Sequence, residues 1–549
     1  MTLRLVTLPV VVAAALFIVG GGCHVGAPAT GAIDLATPAG DEADLGASDD
    51  LASRDDAGSA VPVDWSRQVI YLALVDRFTN GDSANDSLGL AGCLDANDPQ
   101  KYHGGDFAGL QARLPYLREL GVTALWVTPA YQQAAGPPNR CGYHGYWADF
   151  AEPDDGAVEP RFGGAPALTA LVDALHAADM TFILDMVVNH PGDHARVVTQ
   201  HPDWFHDPAT CAQLGSAAIY CPYRTGISDF AQEKPAVADY LSSLSAGWTQ
   251  RFALDGIRMD TAKYVLPAYF HDSFFPRVRA VRPLFVVGEV FSENVAELKP
   301  YLDAGFDSTF NFPLRGALAA AVGHEQSLDA VATVLDAEQA QLGPARARML
   351  VNMIDNHDTA RFTNEPGATV ANDEIRRRLQ LALAIAFIAP GIPQLYAGDE
   401  LGLYGANDPD NRRDMPPWAW TAADRATAMP PAAIPNAEAT FAFVQRLVSL
   451  RRTHAALADG DYRELWRPNG SAAVNVFAFL REAAGEKLVF VVNGGAAAAT
   501  VKLMLHGRIA DATTLDELLA FGAPPTLTAA ADSLDVTLPP KTAALYRAQ

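Results

Sequence analysis

From Val63 onward the chain alternates short apolar runs with amphipathic helical patterns, and this alternation limits the folds open to it. "VIYLALVDRF" leads to "FAGLQARLPYLRELG", where Leu110, Leu114 and Leu117 share one helical face and Gly121 follows the end. The later apolar runs are "VTALWVTP", "TFILDMVVNH", "GIRMD", "LFVVGEV", "FDSTFNF", "RMLVNMID" and "IPQLYAG", with helical patterns between them. Eight strands in βα alternation predict an α/β fold, a closed (β/α)8 TIM barrel over residues 63–437.

Two stretches break the rhythm. Residues 191–230, rich in His, Pro, Asp and Cys, are too long for an ordinary βα loop and predict a small inserted domain after strand 3. After about Ala437 the helical "FAFVQRLVSLRRTHAAL" gives way to alternating segments such as "VNVFAFLRE" and "KLVFVVNG". They predict a C-terminal antiparallel β-sandwich domain over residues 438–549.

The N-terminus reads as an export signal. Arg4 precedes the apolar "LVTLPVVVAAALFIVGGGC", which ends in small residues and Cys23. Residues 1–22 resemble a bacterial lipoprotein signal peptide, which makes Cys23 the expected lipid anchor at the cell envelope; simple cleavage would leave the protein secreted or periplasmic. Residues 23–62, acidic and Ala-rich, are expected to form a solvated tether. An exported chain whose four remaining cysteines are even in number suggests two disulfides, Cys211 with Cys221 and Cys93 with Cys141. The formal net charge of −24 argues against nucleic acid as a partner, since phosphate binding needs clustered Lys and Arg.

In such a barrel, function collects where the strands end. Here those ends are polar: Asp185, Asn189 and His190 on the third, Arg258 and Asp260 on the fourth, Glu289 on the fifth, and Asn356, His357 and Asp358 on the seventh. An Asp at a strand end is often a helix cap. Several carboxylates gathered at one end would repel one another without a purpose. Glycoside hydrolysis supplies that purpose, because it needs one carboxylate and one protonated carboxylic acid on either side of the scissile bond. Arg258, two residues before Asp260 and on the same face, is placed to keep it ionised.

These residues resemble glycoside hydrolase family 13, the α-amylase family, from about Asp64 to the C-terminus. The segments "DMVVNH", "GIRMDTAKY", "GEV" and "DNHD" stand in the family's order, with "GVTALWVTP", "YHGYWADF" and "GIPQLYAGDE" alongside. The resemblance implies Asp260 as nucleophile, Glu289 as general acid/base and Asp358 as the carboxylate that binds sugar hydroxyls. It implies Arg258 as the partner of Asp260, and sugar contacts from His144, Tyr146, His190, His357 and Lys263; Trp147 is read as packing. It also implies Ca2+, held by Asn189, Asp229 and the carbonyl of Tyr264. A second calcium loop resembles that of cyclodextrin glucanotransferases, with Asn80, Asp82, Asn85, Asp86, Asp106 and the carbonyl of Gly104. Tyr264 departs from the His usual in amylases. Thr225, or Tyr223 nearby, stands where cyclodextrin-forming relatives place an aromatic.

The expected activity is retaining hydrolysis of internal α-1,4 bonds in starch or maltodextrin. "NDPDNRRDMPPW" resembles a segment of oligosaccharide-acting relatives, and it keeps open a maltogenic or cyclodextrin-degrading hydrolase or a transglycosylase. A non-catalytic surface starch-binding lipoprotein predicts a missing carboxylate, and all three are present.

Overall fold

The computed structural model describes residues 63–549 apart from 90, 135–140, 153–155, 212–218, 222–226, 429–432, 469–473, 520 and 525. The export signal, Cys23 and the tether therefore lie outside the described residues, as do Tyr223 and Thr225. Among the described residues no helix is long and apolar enough to cross a membrane.

Eight parallel strands form the expected barrel: β1 (Ile70–Ala73), β2 (Ala124–Val127), β3 (Thr181–Met186), β4 (Gly256–Met259), β5 (Phe285–Gly288), β6 (Ser308–Thr309), β7 (Val351–Asn352) and β8 (Ile392–Tyr396). Each pairs in sequence order, β8 returns to β1, and a bridge from Phe310 to Val351 closes the ring between β6 and β7. Most strand residues are apolar because both faces are covered, by the barrel interior and by the helices outside; β6, Ser308 and Thr309, is the exception. Pairing of β3 with β4 sets Asp185 directly beside Arg258.

Two helical expectations change in detail. "FAGLQARLPYLREL" is two helices, Phe107–Ala112 and Leu114–Leu120, divided at Arg113. Pro115 has no N–H to continue the first helix, so a new one starts there. The helix Ala437–Thr453, expected at the head of the tail, packs instead on the barrel helices Asn372–Ile388 and Leu114–Leu120. Its apolar stripe (Phe441, Val444, Leu447, Val448) merges with the barrel core, which makes it part of the outer helical ring.

The tail is a pair of antiparallel sheets. Six strands, β9 (Asp461–Trp466), β10 (Val476–Ala483), β11 (Glu486–Asn493), β13 (Thr514–Glu517), β14 (Thr526–Thr528) and β16 (Thr542–Ala548), form one sheet; β12 (Ala499–Met504) and β15 (Ser533–Leu538) form the other. Alternation along β10 gives each face its own task. Val476, Ala478 and Leu480 pack toward the small sheet, whereas Phe477 and Phe479 join the barrel core. On that second face Arg481 is buried and donates to the carbonyls of Ile388, Leu457 and Gly460. Both disulfides form as expected, Cys93–Cys141 and Cys211–Cys221.

Candidate active site

The strand ends bring Asp260, Glu289 and Asp358 to one cavity of about 400 Å3, lined also by His144, Tyr146, His190 and His357. Arg258 lies beneath it, fully buried at the end of β4. Its Nη1 donates to Asp260 Oδ1 at 2.6 Å and to Asp185 Oδ1 at 2.9 Å, while Nη2 stands 3.1 Å from Glu289 Oε2. One guanidinium thus joins three carboxylates, the fork-like geometry in which Arg serves better than Lys.

Asp185, one residue before the end of β3, sits at the floor. It accepts from Tyr146 Oη at 2.7 Å and from Trp126 Nε1 at 3.2 Å, and burial pushes it up to about 7 against the pull of Arg258. The Tyr146 ring lies parallel to that of His357, and its hydroxyl is 2.8 Å from His357 Nε2. Burial pushes His357 down to about 3 although Asp358 pulls the other way. His144 is held well below its ordinary value by burial and then by Arg412, so both imidazoles are neutral at neutral pH.

The carboxylates separate into different states. Burial is the largest influence on Glu289; repulsion from Asp260 and Asp358 adds to it, Arg258 opposes it, and the group is pushed up to about 8. Burial also acts to raise Asp358, but His357, Arg412 and Arg258 outweigh it and hold that group below its usual range. A neutral acid therefore faces an ionised carboxylate across one cavity, the division of labour expected of acid/base chemistry.

Several residues stand apart from the sequence expectation. Lys263 is absent from the cavity lining: its Nζ pairs with Glu297 at 2.9 Å and donates to the Phe291 carbonyl at 3.0 Å. Trp147, read from sequence as packing, lines the cavity with its ring edge-on to His144. Tyr264 also lines the cavity, and so do Phe291, Asp408 and Arg412. Arg412 Nη2 donates to Asp358 Oδ1 at 2.8 Å and its Nε to the His357 carbonyl at 2.8 Å. It lies in "NDPDNRRDMPPW", where a run of charges after the eighth strand was the available signal. Phe291 left no signal in the sequence, since a Phe three residues past a strand reads as core; it is 45% exposed.

The oxygen-rich loops differ from each other. Phe230 N donates to the Asn189 carbonyl at 2.9 Å, which ties the inserted segment to the end of β3. Beside that tie, Asn189 Oδ1 and Asp229 Oδ1 are buried without a hydrogen-bond partner. Such orphaned hard oxygens fit a calcium ion. In the loop after β1 the Asp106 carboxylate is already saturated, accepting from the N–H groups of Gly81, Asp82 and Gly109 and from Asn85 Nδ2. Asn80 Nδ2 donates to Asp86, and Gly104, at φ +95°, leaves no room for a Cβ beside them. Asn85 Oδ1 is buried and unpartnered. Among the described residues no group of three or more His, Cys, Asp or Glu is arranged to hold a metal ion.

A closed (β/α)8 barrel with carboxylates gathered at its strand ends over an Arg defines the class of glycoside hydrolases built on this fold. The model of the α-amylase catalytic domain matches residues 72–209 and 222–460. Neopullulanase 2 of Thermoactinomyces vulgaris is 31% identical over 466 residues, covering 80% of this chain and 72% of the relative. The β/α-amylase of Paenibacillus polymyxa is 29% identical over 79% of this chain, which spans only 34% of that relative's length. The crystal structure of an Anoxybacillus α-amylase superposes with a TM-score of 0.75 at 31% identity, covering 88% of this chain and 98% of that one. An α-amylase of Geobacillus thermoleovorans, solved with acarbose, gives a TM-score of 0.73 at 29% identity, covering 88% and 99%. The chain belongs to the α-amylase family, glycoside hydrolase family 13.

Proposed function

We propose that the protein is a retaining α-glucan hydrolase that cuts internal α-1,4 bonds of starch and maltodextrins. The observation that carries this reading is the Arg258 bridge between Asp260 and Glu289. Two carboxylates that share one guanidinium fit the spacing of about 5–5.5 Å used for double displacement better than the roughly 6.5–9.5 Å of an inverting pair.

In the first step Asp260 bonds to the anomeric carbon as the glycosidic C–O bond breaks, and the proton of Glu289 passes to the leaving oxygen. In the second, water attacks the same carbon and returns a proton to Glu289, and the bond to Asp260 breaks. Asp358, ionised and fixed by Arg412, accepts hydrogen bonds from sugar hydroxyls at the cavity wall. The neutral imidazoles of His144 and His357 offer uncharged polar contacts, and His190 lines the same cavity.

Reducing-sugar release from soluble starch tests the reading. Activity in the wild type, its loss in Asp260→Asn, and an initial α-anomeric product by NMR are expected; no release, or a β-anomeric product, would overturn it.

A second reading, a cyclodextrin-degrading or maltogenic hydrolase or a transglycosylase, is favoured by the segment around Arg412 and by relatives named cyclomaltodextrinase and cyclomaltodextrin glucanotransferase. Chromatography of products from starch, pullulan and β-cyclodextrin separates the two, and panose from pullulan would select the second.

Ca2+ is proposed at Asn189 Oδ1, Asp229 Oδ1 and the Tyr264 carbonyl, where it would brace the inserted segment against the barrel. For the loop after β1, the proposed oxygens come from Asn80, Asp82, Asn85, Asp86 and Gly104, with Asp106 organising the loop. Export with lipidation at Cys23 completes the proposal; Cys23→Ala should release the protein from membranes, and an unchanged distribution would remove the anchor.

A further inference from the structure

Thr261, directly after Asp260, has φ +47° and ψ +30°. The left-handed region is a true outlier for a β-branched residue, because Cβ crowds the backbone there. Such strain persists only where the surroundings enforce it, and it gathers at functional sites. The contacts show what the conformation achieves. The Thr261 N–H donates to Glu289 Oε2 at 2.8 Å, and its hydroxyl donates to Asp260 Oδ2 at 3.0 Å. One residue therefore holds both reacting side chains, and it borders the cavity itself.

Two consequences follow for the carboxylates. Glu289 Oε2 accepts from Thr261 N–H and faces Arg258 Nη2, so the acid proton belongs on Oε1. Asp260 has one oxygen on Arg258 and the other on the Thr261 hydroxyl, which together stop the carboxylate from turning about its Cβ–Cγ bond. We propose that Thr261 is a positioning residue: its hydroxyl holds Asp260 in the attacking orientation, and its strained backbone exists so that the same residue also anchors Glu289. This rests on the retaining-hydrolase reading above.

The test uses the full-length protein with Thr261→Val, Thr261→Ser and Thr261→Gly, assayed on maltodextrin and on a maltosyl fluoride. Fluoride leaves with little help from an acid, so a loss shared by both substrates belongs to the nucleophile. Thr261→Val keeps the shape without the hydroxyl, and its kcat should fall roughly 10-fold or more on both substrates with little change in KM, as expected for one hydrogen bond to a charged group. Thr261→Ser should restore most of that loss. Thr261→Gly relieves the strain, so it should melt no lower than the wild type while losing kcat as Thr261→Val does. A merely structural residue would show the opposite pattern, lower melting with wild-type kcat per folded molecule, and that result would overturn the proposal. So would a wild-type kcat in Thr261→Val, a loss confined to maltodextrin, or no rescue by Ser. Inactivity of the wild type itself would instead defeat the hydrolase reading.

Discussion

Arg258 Nη2 lies 3.1 Å from Glu289 Oε2, so the group proposed as the general acid has a permanent cation as its neighbour. The cation favours the ionised form, yet Glu289 is pushed up to about 8, because burial and the two neighbouring carboxylates prevail. The sign fixes the pH profile. A proton held up to about pH 8 is fully present at lower pH and is lost as pH rises through that value. The kcat/KM profile on maltodextrin should therefore show a basic limb near pH 8. Glu289→Gln should lower activity on maltodextrin by roughly 100-fold or more, and the activity that remains should lack that limb. A limb that persists in the variant would assign it to another group.

Arg412 should prove necessary to Asp358. It donates to Oδ1 while His357 stands 3.1 Å from Oδ2, and the two together keep the carboxylate ionised against burial. Arg412→Ala leaves that charge short of a partner, and kcat/KM should fall by about 10- to 100-fold. Because Asp358 is held below its usual range, removing the cation should move its protonation to higher pH and carry the acid limb with it. Arg412→Lys should rescue only part, since a Lys cannot reach Asp358 and the His357 carbonyl at once.

Much of this was legible in the sequence because periodicity and strand-end polarity are local signals. The eight apolar runs gave the barrel, strand-end polarity gathered Asp185, Asp260, Glu289 and Asp358, and the resemblance to the α-amylase family singled out the last three. Long-range geometry was not legible. Nothing in "GIRMDTAKY" announces that Lys263 turns away to Glu297 while Tyr264 borders the cavity; a 3-10 turn over Ala262–Tyr264 separates them. Phe291, three residues past the end of β5, carries no mark in the sequence of its place in the cavity lining. The helix Ala437–Thr453 was assigned by its neighbours in sequence, whereas its apolar stripe fits the barrel.

Removal of calcium should loosen the inserted segment. Asn189 Oδ1 and Asp229 Oδ1 are buried and unpartnered, and leaving such groups unsatisfied costs about 1–3 kcal/mol each. EDTA should lower the melting temperature and added Ca2+ should restore it. Asn189→Ala should abolish most of that response, whereas Asp82→Ala should remove only the part owed to the loop after β1. A wild type whose melting ignores both EDTA and Ca2+ would remove the metal from this account.

The Cys93–Cys141 bridge should matter for substrate binding as well as for stability. It joins the loop after β1 to the start of the segment that carries Tyr143, His144 and Tyr146. Its 48-residue separation implies about 2–4 kcal/mol of stabilisation, most of it by restricting the unfolded chain. The folded state should feel the loss too, because residues 142–145 hold their course through Gly145, whose added Cβ would strike the Pro129 carbonyl, and through Gln133, which donates to the Gly145 carbonyl. Cys141 directly precedes that loop, so the bridge fixes the end from which these contacts position it. Cys93→Ala with Cys141→Ala should lower the melting temperature by several degrees and raise KM for maltodextrin more than it lowers kcat. The paired change Cys211→Ala with Cys221→Ala should leave the Tyr143–Tyr146 segment, and hence its share of KM, untouched. Equal KM effects from both pairs would mean that the bridge acts on overall stability alone.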